Sequence, residues 1–97
     1  MKALSKEAVE KMIEHANDGQ LDELTGDMVR LNEEQLAELK ALVWLAKDDE
    51  NPKHWEALVI EAKFQLDDQT ARFIADTPEL GSKLQSGLDK MESAGRI

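Results

Sequence analysis

Two tryptophans, Trp44 and Trp55, stand on either side of an acidic, proline-containing break in the stretch "ALVWLAKDDENPKHWEALV". Two such rings could clamp a flat or cationic ligand between them. They could also pack, because each lies in an apolar stripe and the break is long enough to turn the chain back. The chain has two tryptophans, two phenylalanines and no tyrosine. A core without both tryptophans would be thin, so we expect a helical hairpin and not a clamp.

Histidine and acidic residues form no pattern that is typical of a catalytic or metal site. His15 lies on or beside the apolar stripe of the first predicted helix, His54 lies next to Trp55, and neither belongs to an HExxH pattern. The acidic run "DDE" at 48–50 lacks the spaced ligands and central glycine of an EF-hand loop, and we expect it to be a solvated helix end. We therefore expect no catalytic residue, no cofactor and no metal.

Acidic side chains are concentrated in residues 14–38, where eight acids accompany one base. Such a run could bind a partner electrostatically or could serve only for solubility. The candidate partner-binding face consists of Asp22, Glu23, Asp27, Glu34 and Glu38. Glu34 and Glu38 lie one turn apart on a predicted helix and outside the inferred core, so we expect glutamine at both positions to leave folding intact.

The whole chain carries twenty-one acidic and twelve basic residues, which give a formal charge of −9. Residues 1–50 carry thirteen acids and six bases, whereas residues 51–97 carry eight acids and six bases. This charge repels phosphate backbones and anionic lipids, so we expect no direct binding to nucleic acid and none to membranes. Even as one helix, residues 14–38 would space their acids more widely than a duplex spaces its phosphates.

The length of ninety-seven residues and the 41% hydrophobic content suit one globular domain, which we assign to residues 1–97. The longest apolar run, 41–46, is far shorter than the roughly 20 residues that cross a bilayer. Charges at Lys6 and Glu7 interrupt the first residues before the apolar segment of a signal peptide could form. Because the chain also lacks cysteine, we expect a soluble cytoplasmic protein.

Apolar residues recur at the helical period along nearly the whole chain. Ser5 should cap a first helix, and a weaker second helix should be interrupted at Thr25 and Gly26. Asn32 should cap a third helix over 33–47, which is apolar nearly all round in its second half and should therefore be the buried centre. The stripes of the first two helices are Val9, Met12, Ile13 and Ala16, and then Leu21, Leu24, Met28 and Leu31.

The second half of the chain repeats this organisation in shorter helices. Asn51 and Pro52 should begin a fourth helix, and Thr77 with Pro78 should begin the last one. The expected stripes are Trp55, Leu58, Val59, Ala62 and Leu66, then Ala71, Phe73, Ile74 and Ala75, and finally Leu80, Leu84, Leu88 and Met91. Small residues at positions 81 and 87 permit close approach of another helix, which we expect to be internal, although a homo-oligomer stays possible. The sequence thus predicts an all-α fold, a compact single domain of five to six short helices with a buried central helix.

Three elements appear in a recognisable order, namely "LNEEQLAELKALVWLAKDD", Trp55 followed by Leu58, and "TARFIADTP" leading into "LGSKLQSGL". From about residue 31 to about residue 88, the sequence resembles an uncharacterised bacterial family, domain of unknown function 3775. Phe73 and Asp76 stand where the family pattern has tyrosine and glycine. The resemblance implies a compact helical fold and a bacterial, phage or plasmid origin, and it brings no catalytic residues.

Together these patterns predict a small acidic, non-enzymatic helical protein. We expect it to act as an interaction or regulatory module, through a protein partner or through self-association. The alternative is a phage- or plasmid-type inhibitor of a nucleic-acid-binding defence complex, which would use the acidic face to mimic nucleic acid.

Overall fold

A computed structural model describes residues 1–47 and 50–96. These residues form α-helices and one short 3-10 turn, with no strand among them, so the all-α prediction is confirmed. The helices are α1 (Lys6–Asn17), α2 (Leu21–Val29), α3 (Glu33–Lys47), α4 (Trp55–Phe64), α5 (Thr70–Ala75) and α6 (Leu80–Ser93), and the 3-10 turn Pro52–His54 precedes α4. Asp48 and Asp49, on which the prediction of a solvated acidic helix end falls, lie outside the described residues.

Helix α3 is the centre of the fold, where it packs against α4, α5 and α6. Helix α6 also packs against α1, α1 against α2, and α2 against α5, so these contacts close a ring around the core. One cluster of buried apolar residues draws on all these helices. Seven residues of α3 are buried, which confirms the predicted central helix. In the described part of the chain, no helix combines the length and the hydropathy that spanning a membrane requires.

The first and third helices begin at the predicted caps. The hydroxyl of Ser5 accepts a hydrogen bond from the backbone N–H of Ala8 at 3.1 Å. At the start of α3, Asn32 and Gln35 bond reciprocally. The Gln35 N–H donates to the Asn32 side chain at 2.9 Å, and the Asn32 N–H donates to the Gln35 side chain at 3.0 Å. This capping box satisfies two backbone donors and places α3 over the predicted residues 33–47.

The predicted hairpin is present, because α4 packs against α3. The Asn51 side chain accepts from the backbone N–H of Lys53 at 3.0 Å. Pro52 then begins a 3-10 turn, and the α-helix begins only at Trp55, which is 5% exposed. The sequence therefore located the break and the cap correctly, but it placed the start of α4 one short turn too early.

Helix α2 is continuous, contrary to the predicted interruption at Thr25 and Gly26. The Thr25 hydroxyl donates to the carbonyl of Leu21 at 2.9 Å, one turn earlier, so its own hydrogen bond is made within the helix. The predicted apolar stripe is shorter than expected, since Leu21 is 52% exposed and burial begins at Leu24.

The last helix does not begin at the predicted cap. The Thr77 hydroxyl donates to the carbonyl of Phe73 at 2.9 Å, so this side chain bonds back to the end of α5. Helix α6 begins at Leu80 after Glu79, whose φ of 55° lies in the left-handed region. The predicted α6 stripe is nevertheless confirmed, because all four of its residues are buried: Leu80, Leu84, Leu88 and Met91.

The two glycines of α6 face other helices of the same chain, as expected. A Cβ atom at Gly87 would lie 2.8 Å from the carbonyl oxygen of Leu42 and 2.9 Å from its Cγ. A Cβ atom at Gly81 would collide with the side chain of Asn17 at the end of α1. The close approach that glycine permits therefore serves internal packing of α6 on α3 and α1.

Candidate functional site

The acids of the predicted partner-binding face are not gathered on one surface. Residues 14–38 pass through α1, α2 and α3, so they form no single helical row. Asp22 and Glu23 are exposed in the first turn of α2. The carboxylate of Glu34 is exposed but pairs with Lys63 of α4, and this hydrogen bond raises the pKa of the Lys63 ammonium.

Glu38 is buried, with 5% of its surface exposed. Its Oε2 accepts the backbone N–H of Lys2 at 2.8 Å, and its Oε1 accepts those of Ala3 at 3.0 Å and Leu4 at 2.7 Å. Residues 1–4 lie across α3 outside any helix, so their N–H groups need acceptors, and one carboxylate supplies them. The placement of Glu38 on an exposed face is therefore wrong.

The fifth acid of the predicted face, Asp27, is engaged with a histidine. The Nδ1 of His15 lies 2.7 Å from Oδ2 of Asp27, and each side chain is 18% exposed. The contact joins α1 to α2. His54 is exposed in the 3-10 turn. Within residues 1–47 and 50–96, no group of three histidine or acidic side chains could hold a metal ion.

Two further ion pairs join parts of the chain that are distant in sequence. Lys6 pairs with Glu92, and the hydrogen bond between them raises the pKa of the lysine. Nη1 of Arg96 lies 2.7 Å from Oε1 of Glu56. The pKa of Glu56 is lowered, mainly because its carboxylate accepts its own backbone N–H in the first turn of α4, and also because Arg96 is near. Both pairs have structural roles, and Glu56 and Arg96 also line a cavity of about 470 Å³ beside Trp55 and Glu38.

A groove that the sequence analysis did not predict lies between α3, α5 and the segment that joins α4 to α5, with a volume of about 420 Å³. Its apolar lining consists of Val43, Trp44, Phe73 and Ile74, and its charged lining consists of Lys40, Lys47 and Asp67. We call this surface the Trp44 groove. It places aromatic and basic side chains together on an otherwise acidic chain.

Phe73 is 69% exposed, so its predicted place in the core is wrong. Helix α5 has six residues and presents one side to the core. Thr70, Ile74 and Ala75 occupy that side and are 3%, 5% and 6% exposed. Phe73 precedes Ile74 and must point about 100° away from it. Ala75, which is also buried, lies about 200° from Phe73, so the helical period itself placed Phe73 away from the buried side.

Phe64 at the end of α4 is exposed even more fully, at 88%. The predicted stripe of α4 already left this residue out, since it falls between Ala62 and Leu66 in the period. Both phenylalanines of the chain are therefore on the surface.

The two tryptophans have different roles in the structure. Trp55 is buried in the core, as predicted, whereas Trp44 is only partly buried and lines the groove. The ammonium of Lys40 lies 5.4 Å from the centroid of the Trp44 ring, within the range of a cation–π contact. The two rings do not clamp a common space, because Trp55 is absent from the lining of the Trp44 groove.

The charged side chains of the groove differ in the contacts that they make within the chain. Nζ of Lys40 also donates to the carbonyl of Gln65 at 3.4 Å, which ties α3 to the chain that follows α4. Lys47 is exposed and makes no ion pair with any residue that the structure describes. Oδ1 of Asp67 accepts the backbone N–H of Gln69 at 2.8 Å, so this carboxylate is used in its own turn.

The model of a family described as proteins of unknown function (DUF3775) matches residues 21–93. The chain belongs to the DUF3775 family. The resemblance drawn from the sequence is thus confirmed. The matched region begins about ten residues earlier in the chain than expected. The DUF3775 match covers α2 to α6 and the whole Trp44 groove, whereas α1 and the segment bound by Glu38 precede it. Comparisons with curated proteins and with solved structures gave no match.

Proposed function

We propose that this protein is a non-enzymatic interaction module of the cytoplasm that binds another protein through the Trp44 groove. One observation carries the proposal, namely that Phe73 is 69% exposed and lines the same groove as the half-buried Trp44. A single exposed apolar residue is ordinary, but adjacent exposed aromatic residues are typical of protein interfaces.

The energetics favour an occupant for this surface. A phenylalanine side chain buries roughly 200 Å² when it is fully covered. At about 25 cal/mol per Å², covering the exposed part of Phe73 would contribute up to about 3 kcal/mol to binding. Large aromatic side chains surrounded by smaller contacts are also the groups on which binding energy concentrates in known interfaces.

The proposal places the binding surface on the groove and not on the acidic face. Glu38 is buried, and the carboxylates of Asp27 and Glu34 already have partners within the chain. Asp22 and Glu23 are left as exposed acids of the predicted set. Mimicry of nucleic acid needs a dense row of accessible carboxylates, and the described geometry gives that function no specific support.

Photo-cross-linking in a lysate of the source organism tests the proposal. A photoreactive phenylalanine analogue replaces Phe73, which is exposed enough to accept it without repacking the core. We expect a discrete adduct with a second protein, and we expect the Phe73→Ser chain added in excess to compete poorly for that protein. The matched control carries the same analogue at Ala57, an exposed residue of α4.

Three results would contradict the proposal. They are the absence of an adduct from position 73, the same adduct in equal yield from position 57, and an adduct formed only with a second copy of this chain. The melting temperature of each variant, measured by circular dichroism, establishes that the fold is intact before the comparison is made.

A further inference from the structure

The charged lining of the Trp44 groove is opposite in sign to the chain as a whole. The chain has a formal charge of −9. Among the described lining residues, Lys40 and Lys47 stand against a single acid, Asp67. The two lysines are separated by two turns on one side of α3, with Trp44 between them. Asp67 keeps its negative charge and is held in its own turn, so the lining has a net positive charge, with a lysine on each side of an aromatic ring.

We infer that the occupant of the groove is an acidic segment of a partner protein that carries a large apolar side chain. The inference rests on the proposed function and specifies the chemistry of the partner. The apolar side chain enters between Trp44 and Phe73, and carboxylates before and after it pair with Lys40 and Lys47.

The two lysines are suited to this pairing for different reasons. The Lys40 ammonium is already placed 5.4 Å from the Trp44 ring centroid, so binding a carboxylate there requires little further ordering of the side chain. Lys47 has no ion pair with a described residue, so no such pair must break before it accepts a carboxylate. A basic or neutral occupant would leave both ammonium groups beside the interface without a counter-charge.

Charge also favours a segment of another protein over a second copy of this chain. Two copies would each bring a charge of −9, and their repulsion would extend over both surfaces. A short segment brings few charges, and at physiological salt its interactions are screened beyond about 8 Å. Close pairing with the groove lysines then outweighs repulsion by distant carboxylates.

The experiment is a selection from a random peptide library displayed on phage, with the full chain immobilised as the target. Enriched peptides are synthesised and their dissociation constants are measured for the wild type, Lys47→Glu, Lys40→Gln and Phe73→Ser. The matched controls are Lys11→Glu, which makes the same charge change on an exposed lysine of α1, and Ile60→Ser, which removes an apolar side chain that is 59% exposed on α4.

We expect the enriched peptides to combine aspartate or glutamate with phenylalanine, tryptophan or leucine. Lys47→Glu should weaken their binding about five- to tenfold, because a pairing becomes a repulsion. Lys40→Gln should weaken it less, and Lys11→Glu and Ile60→Ser should leave it within about twofold. Added salt should weaken binding to the wild type more than to Lys47→Glu.

The outcomes separate this inference from the proposed function. Enrichment of neutral or basic peptides that still depend on Phe73 overturns the inference, while binding at the groove stands. Acidic peptides that bind Phe73→Ser as well as the wild type overturn both. A selection that enriches no peptide, or a chain that sediments as a dimer and becomes monomeric on Phe73→Ser, also overturns the inference.

Discussion

The two sides of α3 reverse the usual relation between polarity and burial. On one side, Glu38 is buried and lies one turn from Leu42, which packs against α6. On the other side, Trp44 is only partly buried, and Lys40 and Lys47 flank it. A charged residue is thus inside, whereas the largest aromatic side chain of the helix borders the solvent. We call these the Glu38 side and the groove side.

The lengths of the elements that cover each side explain the difference. Helix α6 has fourteen residues, about 21 Å, and residues 1–4 extend the cover over Glu38. Helix α5 has six residues, about 9 Å, and cannot cover the groove side of α3. At Glu38 and Trp44, hydrophobicity alone therefore does not decide burial, because each side chain is buried only as far as another element reaches it. A carboxylate can be buried when that element brings N–H donors.

The largest expected effect compares the two tryptophans. Trp55→Ala should lower the free energy of unfolding by about 3 to 5 kcal/mol, since it empties a site in the core. Trp44→Ala should lower it by about 1 to 2 kcal/mol, because part of that ring already contacts water. Urea denaturation measures both. Equal losses would show that the groove side is packed as tightly as the core.

The next comparison concerns two glutamates on α3. Glu38→Gln should lower the free energy of unfolding by about 2 to 3 kcal/mol, because the amide loses the charge and turns a donor toward backbone donors. The matched Glu34→Gln change, on an exposed pair, should stay within about 0.5 kcal/mol.

Hydrogen exchange gives an independent readout of the Glu38 side. The amides of Lys2, Ala3 and Leu4 should lose protection in Glu38→Gln and keep it in Glu34→Gln. If both variants behave alike, the buried carboxylate does not hold the N-terminal segment.

A glycine pair tests how closely α6 covers α3. Gly87→Ala should destabilise the fold by about 1 to 3 kcal/mol, since the new Cβ would lie 2.8 Å from the carbonyl oxygen of Leu42. Gly26→Ala, within α2 and with no atom near its Cβ position, should instead stabilise it by about 0.5 to 1 kcal/mol. Thermal melts of the two variants should therefore shift in opposite directions, and a shift of Gly87→Ala to higher temperature would refute the close contact.

The smallest expected effect is the pH dependence of the exposed pair of Glu56 and Arg96. The pKa of Glu56 is lowered in the folded chain, so its contribution to stability is present above the unfolded pKa of about 4.3. That contribution is lost as the pH falls through the lower, folded pKa. Melting temperatures should fall slightly more between about pH 5 and about pH 3 in the wild type than in Glu56→Gln. Glu61→Gln on the same helix serves as the control. If the melting temperatures of Glu56→Gln and of the wild type fall equally in acid, the lowered pKa of Glu56 does not contribute to stability.

Features that depend on neighbouring residues could be predicted from the sequence. The Asn32 capping box, the bounds of α3 and the buried stripe of α6 all rest on spacings within a few turns, and all are confirmed. A prediction from local sequence was wrong where a side chain could make either of two hydrogen bonds. Thr77 could cap α6 or bond back to α5, and it does the latter.

Which side chains reach water depends on the packing of distant parts of the chain, and the sequence did not predict it. Glu38 is buried because residues 2–4, thirty-four to thirty-six positions away, bring their N–H groups to its carboxylate. Phe73 is exposed because α5 is short and presents Ile74 to the core instead. Residue type and helical period do not predict contacts over such separations. These contacts depend on how far each packed element extends. The Trp44 groove exists for the same reason, where α5 ends before it covers α3.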